Sequence, residues 1–348
     1  MLPELTRKLM AGQDLAQPEA EQALESILSE ETPEAAIASF LTALAIKGET
    51  SEEIAGFARI MRRHARRIKS DHSRVIDTAG TGGGADTFNI STAAAFVIAG
   101  AGLPVAKHGN RALTSRCGSA DVLAALGVNI ENPPEVAEEA LNEIGIAFMF
   151  APLFHPAMKR VAQVRRQLGH RTIFNMLGPL TNPASAPYQI IGVYSTELTE
   201  KLARALCSLD CRRAWVVHSH DGLDELSISA PTSVADVCNS SVRSFDFEAT
   251  DFTDYTEKIR ENPCNPWLNG GTPEENAAII RGILEGRING AAREIVILNA
   301  GAALHVAGED DFPQALTLAS DSIDSGAALD KLQQLIRIYS RNLRDSLA

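Results

Sequence analysis

This chain reads as an α/β protein, with a small all-helical domain ahead of a large α/β domain built on a central, mostly parallel sheet. The reading rests on three features. Apolar residues recur at helical spacing, without strand-like alternation, from the start to about residue 70. Beyond residue 73, short apolar runs rich in β-branched or aromatic residues alternate with helical patterns, as in a parallel sheet covered by helices. The length of 348 residues exceeds one average domain, so a second, smaller unit is expected.

Taken in order, Leu5, Leu9, Leu15 and the Ala-rich segments after Pro18 and Pro33 give the first helices. Both prolines suit first-turn positions, and Gln17 and Thr32 precede them as candidate caps. Thr50-Ser51-Glu52-Glu53 opens a further helix with acids in its first turn. That helix closes on Arg62, Arg63, Arg66, Arg67 and Lys69, cations at the end of the helix dipole that favours them, and we read the run as a solvated helix end. Strands are predicted at 75–79, 104–106, 146–150, 189–194 and 214–218. One stretch fits the sheet poorly: from Val164-Arg165-Arg166 to Pro183 it is helix-like and ends in a Gly/Pro/Asn-rich turn. It is predicted to be an excursion, about 164–186, that packs back on the N-terminal helices. The small domain is then 1–70 plus the excursion, and 74–163 with 187–348 form the α/β domain. The tail returns to helix at 274–285, 291–306 and 323–343.

Composition narrows the function. Apolar residues are 45% and charged residues 22%, ordinary for a globular protein. The net charge of −12 argues against a nucleic-acid-binding protein held by phosphate contacts, while leaving room for a local basic pocket. The 5 cysteines, Cys117, Cys207, Cys211, Cys238 and Cys264, are scattered and odd in number, which suits a reducing compartment rather than a disulfide framework. Cys207 and Cys211 are placed on one helix as small buried residues. Glu4 interrupts any basic-then-apolar leader, and the longest charge-free run, 93–106, is too short to span a bilayer. A cytoplasmic protein without membrane partners is expected.

Three polar clusters carry chemistry. The first runs from Asp77 through Gly80, Gly82, Gly83 and Gly84 to Asn89, Ser91 and Thr92: a strand, a glycine loop and the capped start of a helix. Glycines allow close backbone approach, and a helix N-terminus offers unpaired N–H groups, so this is a cradle for an anionic, phosphorylated ligand. No Gly-Lys-Ser/Thr closes it, so it is not a P-loop. The second holds Lys107-His108-Gly109-Asn110-Arg111 and Thr114-Ser115-Arg116, with Ser119 and Asp121 beyond, and suits phosphate or diphosphate. The third is His218 to Glu225. Its carboxylates beside an anion site call for a divalent cation, with Mg²⁺ expected from the hard oxygen donors. All three follow predicted strands and should share one rim of the sheet.

Together these clusters resemble the anthranilate phosphoribosyltransferase family of tryptophan biosynthesis. Gly80-Thr81-Gly82-Gly83 with Thr87-Phe88-Asn89-Ile90-Ser91-Thr92 is similar to that family's glycine loop, Lys107-His108-Gly109-Asn110-Arg111 to its second motif and Asp224-Glu225 to its metal pair. Lys47-Gly48-Glu49-Thr50, Phe150-Ala151-Pro152 with His155, Phe174-Asn175 through Pro183, and Asn299-Ala300 extend the likeness over nearly the whole chain. The resemblance implies transfer of a phosphoribosyl group from phosphoribosyl diphosphate to anthranilate, two Mg²⁺ ions, and a homodimer joined through the helical domains. It places phosphoribosyl diphosphate on Gly80, Gly83, Gly84, Thr87, Asn89, Ile90, Ser91, Thr92, the run Lys107, His108, Gly109, Asn110, Arg111, Ala112, Leu113, Thr114 and Ser115, and Ser119. It places anthranilate on Gly80, Asn110 and Arg165 with His108 and Pro152 along its path, and metal on Ser91, Asp224 and Glu225. Lys107, Asn110 and Arg165 are the catalytic set it implies. The same fold also serves pyrimidine nucleoside phosphorylases and non-catalytic nucleic-acid-binding relatives; the Lys-His-Ser-Thr-Gly-Gly pattern of the former is absent. One departure stands out. The family reads Gly-Gly-Asp-Gly and two further residues before the Thr, whereas Gly83-Gly84-Ala85-Asp86-Thr87 is one residue shorter, with Gly84 in place of the acid. Asp86 is the carboxylate that remains nearby.

Overall fold

The structure, a computed structural model, describes residues 1–112, 116–249 and 269–345. Four helices come first: α1 (Leu2–Met10), α2 (Gln17–Leu28), α3 (Glu34–Lys47) and α4 (Ser51–His64). The α/β part then runs β1 (Ile76–Gly80), α5 (Ile90–Gly100), β2 (Val105–Gly109), α6 (Ser119–Ala125), α7 (Pro134–Ile144), β3 (Ile146–Phe150), α8 (Ala151–Phe154), α9 (Met158–Leu168), α10 (Phe174–Leu177), β4 (Tyr188–Gly192), α11 (Glu197–Cys207), β5 (Arg213–Ser219), β6 (Thr232–Cys238) and β7 (Ser241–Phe247). Helices Pro273–Leu284, Ala291–Val306, Phe312–Asp324 and Ala327–Asp345 complete it.

The sheet order is β3-β2-β1-β4-β5-β6-β7. The five predicted strands are present and parallel, as the alternation of strand and helix requires. The antiparallel pair β6 and β7 is an addition to the sequence reading. Its turn, Asn239-Ser240, has both residues at positive φ, 50° and 61°, the two-residue hairpin geometry that matches strand twist. The helical tail also differs: 323–343 is not one helix, because Ser325 and Gly326, the latter at φ 78°, end one helix and start another.

The early caps divide in the same way. Thr50 caps α4 by accepting from Glu53 N–H, with Glu53 reaching back, a complete capping box. Gln17 lies inside α2, and Thr32 instead donates its hydroxyl to Ser26 O at 2.5 Å. Arg62 is no solvated helix end: its guanidinium donates to Leu180 O at 2.6 Å and Leu209 O at 2.5 Å, tying α4 to later chain. Cys207 ends α11, whereas Cys211 lies beyond it.

Two apolar cores result. One joins β1–β3 and α5 to the four last helices. The other holds α1–α4 together with Val161, Val164, Phe174, Met176 and Leu177, and continues onto one face of the sheet through Ile191, Ala214, Val216 and Val237. Period-two alternation along β5 sends Ala214 and Val216 to this core and Trp215 and Val217 to the first. The outer edge of β3 is sealed by Tyr339, whose buried hydroxyl accepts from Phe148 N–H at 2.9 Å and donates to Phe148 O at 2.7 Å.

Candidate active site

The strand order reverses between β1 and β4, and a parallel sheet leaves a crevice beyond its carboxyl ends at such a point. Gly80 and Gly192 pair across it. From there Thr81 N–H returns to Gly192 O at 2.9 Å and Ala85 N–H reaches Gly222 O at 3.0 Å, while Thr87 bridges to Asn269. Between these anchors Gly82 and Gly83 have φ of 66° and 89°. Among the described residues, the N–H groups of Gly82, Gly83 and Gly84 donate to no protein acceptor. Successive unpaired N–H groups in such a turn form an anion-binding concavity.

Helix α5 follows at once. Asn89 is its N-cap residue, yet the Asn89 side chain serves other segments: Nδ2 donates to Cys117 O and Oδ1 accepts from Asn276 Nδ2, both at 3.0 Å. Ile90 is core. Thr92 is buried, and its Oγ1 has no hydrogen-bond partner among the described residues.

Lys107 reaches from β2 across to β1 and α5. Its Nζ donates to Thr78 O and, at 3.3 Å each, to the hydroxyls of Thr78 and Ser91. Burial pulls its pKa down, against the charges of Asp77 and Glu225. Asp77 accepts from His108 N–H at 3.2 Å and Asn182 Nδ2 at 2.7 Å; burial pushes its carboxyl up to about 6 even beside Lys107. His108 Nδ1 lies 3.1 Å from Gly178 O, which assigns the proton to that nitrogen, and Nε2 has no partner among the described residues. His155, with ring centroid 5.1 Å away, has neither nitrogen paired among them. Burial depresses His108 to about 3 and His155 to about 4, so both are neutral near pH 7.

The turn after β2 closes on itself. Asn110 O accepts from Ala120 N–H at 3.1 Å and Ser119 Oγ at 3.5 Å, and Asn110 Oδ1 accepts from Arg111 N–H at 2.8 Å. Gly109 packs so closely on Ser119 that a Cβ would overlap its hydroxyl. Arg111 turns outward to Asp121 at 3.2 Å and Glu131 at 3.4 Å, and Ala112 N–H also bonds Asp121. Leu113, Thr114 and Ser115 lie outside the described residues, as does Cys264.

The third cluster meets the first. A Cβ on Gly84 would stand 2.5 Å from Asp224 Oδ1, and one on Gly80 3.4 Å from Oδ2. Gly84, where the family pattern has an acid, is therefore what lets the Asp224 carboxylate lie against the loop. Asp86 does not replace that acid here, because its exposed carboxylate pairs with Arg116 at 3.3 Å. Burial raises Asp224. Burial and the charge of Asp224 raise Glu225 to about 8, against Lys107 and hydrogen bonds from Ser91. Ser91 thus touches both Lys107 and Glu225.

Contacts so bring together Gly80, Gly84, Ser91, Lys107, Asp224 and Glu225. Arg165 makes its contacts within the excursion, to Asn175 Oδ1 at 3.5 Å and over the Phe174 ring at 5.6 Å. Pro152 is exposed at the start of α8. Sequence reasoning took Asp77 only as the lead-in of the first cluster and assigned it no ligand, and it passed over Asn182 and Asn276 as site members; Asn276 offered no signal. Among the described residues no group of three or more His, Cys, Asp and Glu forms a metal cage. Two carboxylates under mutual repulsion, with a hydroxyl beside them, are a hard-oxygen set that fits Mg²⁺ completed by ligand oxygens and water.

The comparisons agree with this architecture. Residues 3–65 match the family model described as "Glycosyl transferase family, helical bundle domain" and residues 72–329 the model "Glycosyl transferase family, a/b domain". The fold is thus that of a glycosyltransferase family with a helical bundle domain and an a/b domain. Anthranilate phosphoribosyltransferase of Desulfatibacillum aliphaticivorans is 51% identical, with 98% of this chain and 100% of the relative covered. That of Moorella thermoacetica is also 51% identical, covering 97% and 98%. Among solved structures, anthranilate phosphoribosyltransferase of Thermus thermophilus superposes with a TM-score of 0.86 at 39% identity, over 96% of this chain and 98% of that one. The Saccharomyces cerevisiae enzyme, in complex with PRPP and Mg, does so at 0.86 and 30% identity, over 97% and 98%. The chain belongs to the anthranilate phosphoribosyltransferase family.

Proposed function

We infer that the chain transfers the 5-phosphoribosyl group of phosphoribosyl diphosphate to the amine of anthranilate, giving N-(5-phosphoribosyl)anthranilate and diphosphate. The observation that carries this reading is the meeting of the unpaired Gly82–84 N–H groups, Lys107 and the Asp224–Glu225 pair at one switch point, in a chain of this family. The nucleoside phosphorylase and nucleic-acid-binding alternatives lose their support with the family assignment and the −12 charge.

An arylamine is a weak base, unprotonated at neutral pH, and needs no strong general base. The barrier lies in C1–O cleavage, where positive charge grows on the ribose and negative charge on diphosphate, so catalysis is electrostatic and positional. Lys107 and the loop N–H groups stabilise the departing diphosphate, with Gly80, Gly83, Thr87, Asn89, Ser91, Thr92 and Ser119 shaping its seat. Ser91, Asp224 and Glu225 would hold Mg²⁺, as two ions, and bound Mg²⁺ supplies charge neutralisation to the diphosphate. The relative solved with Mg supports the ion; the count of two rests on the family resemblance alone. Arg165, whose guanidinium fork matches a carboxylate, and Asn110 aim anthranilate, with neutral His108 and Pro152 along its path. The helical domain, 1–70 with the 164–186 excursion, closes against the α/β domain to exclude water, and two chains pair through it. Among the described residues no helix is long and apolar enough to cross a membrane, and we place the enzyme in the cytoplasm.

Loss of anthranilate fluorescence on adding phosphoribosyl diphosphate, dependent on Mg²⁺, tests the reading; folded protein that leaves the signal unchanged overturns it. In the same assay Arg165→Ala should raise the anthranilate KM at least roughly tenfold and leave the KM for phosphoribosyl diphosphate within about twofold. An unchanged anthranilate KM removes Arg165 from that role.

A further inference from the structure

Arg171 lies in the turn after α9, outside the motifs quoted above, and no step above uses it. Its guanidinium sits 3.7 Å over the ring of Tyr194, and Nη2 donates to Gly83 O at 3.4 Å. Tyr194 stands just past the end of β4, and Gly83 lies in the glycine loop. One side chain from the excursion therefore bears on two segments of the rim. Gly83 is held to glycine by its φ of 89°, and a Cβ there would displace the Arg171 guanidinium from its place.

The contact has a directional consequence. The carbonyl of Gly83 and the N–H of Gly84 belong to one planar trans peptide and point opposite ways. Anchoring the carbonyl on Arg171 fixes the bearing of the Gly84 N–H, one of the groups without a protein acceptor among the described residues. The turn that carries Arg171 is itself braced. Thr172 N–H donates to Asn175 Oδ1 at 3.0 Å, the same oxygen that accepts from Arg165, and His170 Nε2 lies 3.4 Å from Thr42 Oγ1 of α3.

We propose that Arg171 is a positioning residue that orients the glycine loop for the diphosphate of phosphoribosyl diphosphate, using the Tyr194 ring as its platform and Gly83 O as its point of purchase. The proposal rests on the phosphoribosyl-transfer reading. Steady-state kinetics on the full chain with Arg171→Ala, Arg171→Lys and Tyr194→Leu test it. Arg171→Ala should raise the KM for phosphoribosyl diphosphate about tenfold, the scale of one lost hydrogen bond to a charged group, with the anthranilate KM within about twofold. Lysine keeps the charge but loses the flat fork and the stacking, so Arg171→Lys should recover little of the loss. Tyr194→Leu should shift the same KM, and the double variant should fall short of the product of the two effects. Wild-type turnover with an unchanged KM in Arg171→Ala, or full recovery in Arg171→Lys, overturns the proposal alone. Absence of wild-type turnover overturns the reading beneath it.

Discussion

Two clusters of buried charge can be set side by side. In the helical part, Glu53 is fully buried and accepts from Leu15 N–H at 2.8 Å, Thr50 N–H at 2.8 Å and Lys47 at 2.9 Å. Burial pulls Lys47 down, but hydrogen bonds to Asp14 and Glu53 win and hold it above its ordinary value. At the rim, Asp77, Asp224 and Glu225 are all pushed up and Lys107 down, while His108, His155 and Thr92 keep polar atoms without partners among the described residues. Both clusters bury charge and pair much of it; only the first leaves no buried side-chain polar atom without a partner among the described residues. Polar groups that a fold buries and leaves wanting mark where a ligand completes the network. The Lys47–Glu53 cluster is a fastening, and the rim is a site.

That contrast can be broken by substitution, taken from the largest effect downward. Glu53→Ala leaves the Leu15 and Thr50 N–H groups unpaired and Lys47 with Asp14 alone, and should cost about 2–4 kcal/mol of stability in a urea titration while the folded fraction keeps its kcat. A large kcat loss with stability intact would reverse the roles assigned to the two clusters. Lys107→Ala should weigh on catalysis first: a loss of about 10²–10³ in kcat, because it removes a donor aimed at developing charge, beside a lowered denaturation midpoint from the Thr78 and Ser91 acceptors it leaves unpaired.

His108→Asn sharpens the comparison by pH. His108 is depressed in the folded protein, so its stabilising effect is complete above the unfolded pKa of about 6.5 and fades as pH falls toward about 3. At pH 5 the wild type should therefore have lost about 2 kcal/mol relative to the variant, compared with pH 7.5. Asp77 and Glu225, raised in the folded state, work in the reverse sense, favouring the fold as pH falls below about 6 and about 8. The comparison is thus a difference between two proteins at two pH values, and a pH-independent difference counts against the buried neutral imidazole. The smallest effect belongs to the helical fastening: Thr50→Ala removes one half of the α4 capping box and should lower stability by about 1 kcal/mol without touching either KM.

How much of this was open to sequence reasoning follows from the range of the forces involved. The parallel strands and the capping box at Thr50 were legible because hydrophobic alternation and local hydrogen bonds span only a few residues. The β6–β7 hairpin was passed over, although Asn239-Ser240 is a recognisable turn pair, because β7 alternates weakly and is mostly solvent-facing. The rim clusters were legible as motifs, since each is a continuous stretch. Their mutual contacts were not, because Ser91 meets Glu225, and Gly84 meets Asp224, only once strand order is known. The replacement of an acid by Gly84 looked from sequence like a missing ligand. In the fold it is the clearance that Asp224 needs.

The Tyr339 hydroxyl, bonded to both sides of one peptide-bearing residue on β3, has a meaning for how the chain is made. Phe148 lies on the outermost strand and its partner comes 191 positions later. A ribosome delivers β3 long before the helix that finishes it, so the nascent sheet carries an open margin, able to accept a strand from another chain, until that helix has emerged.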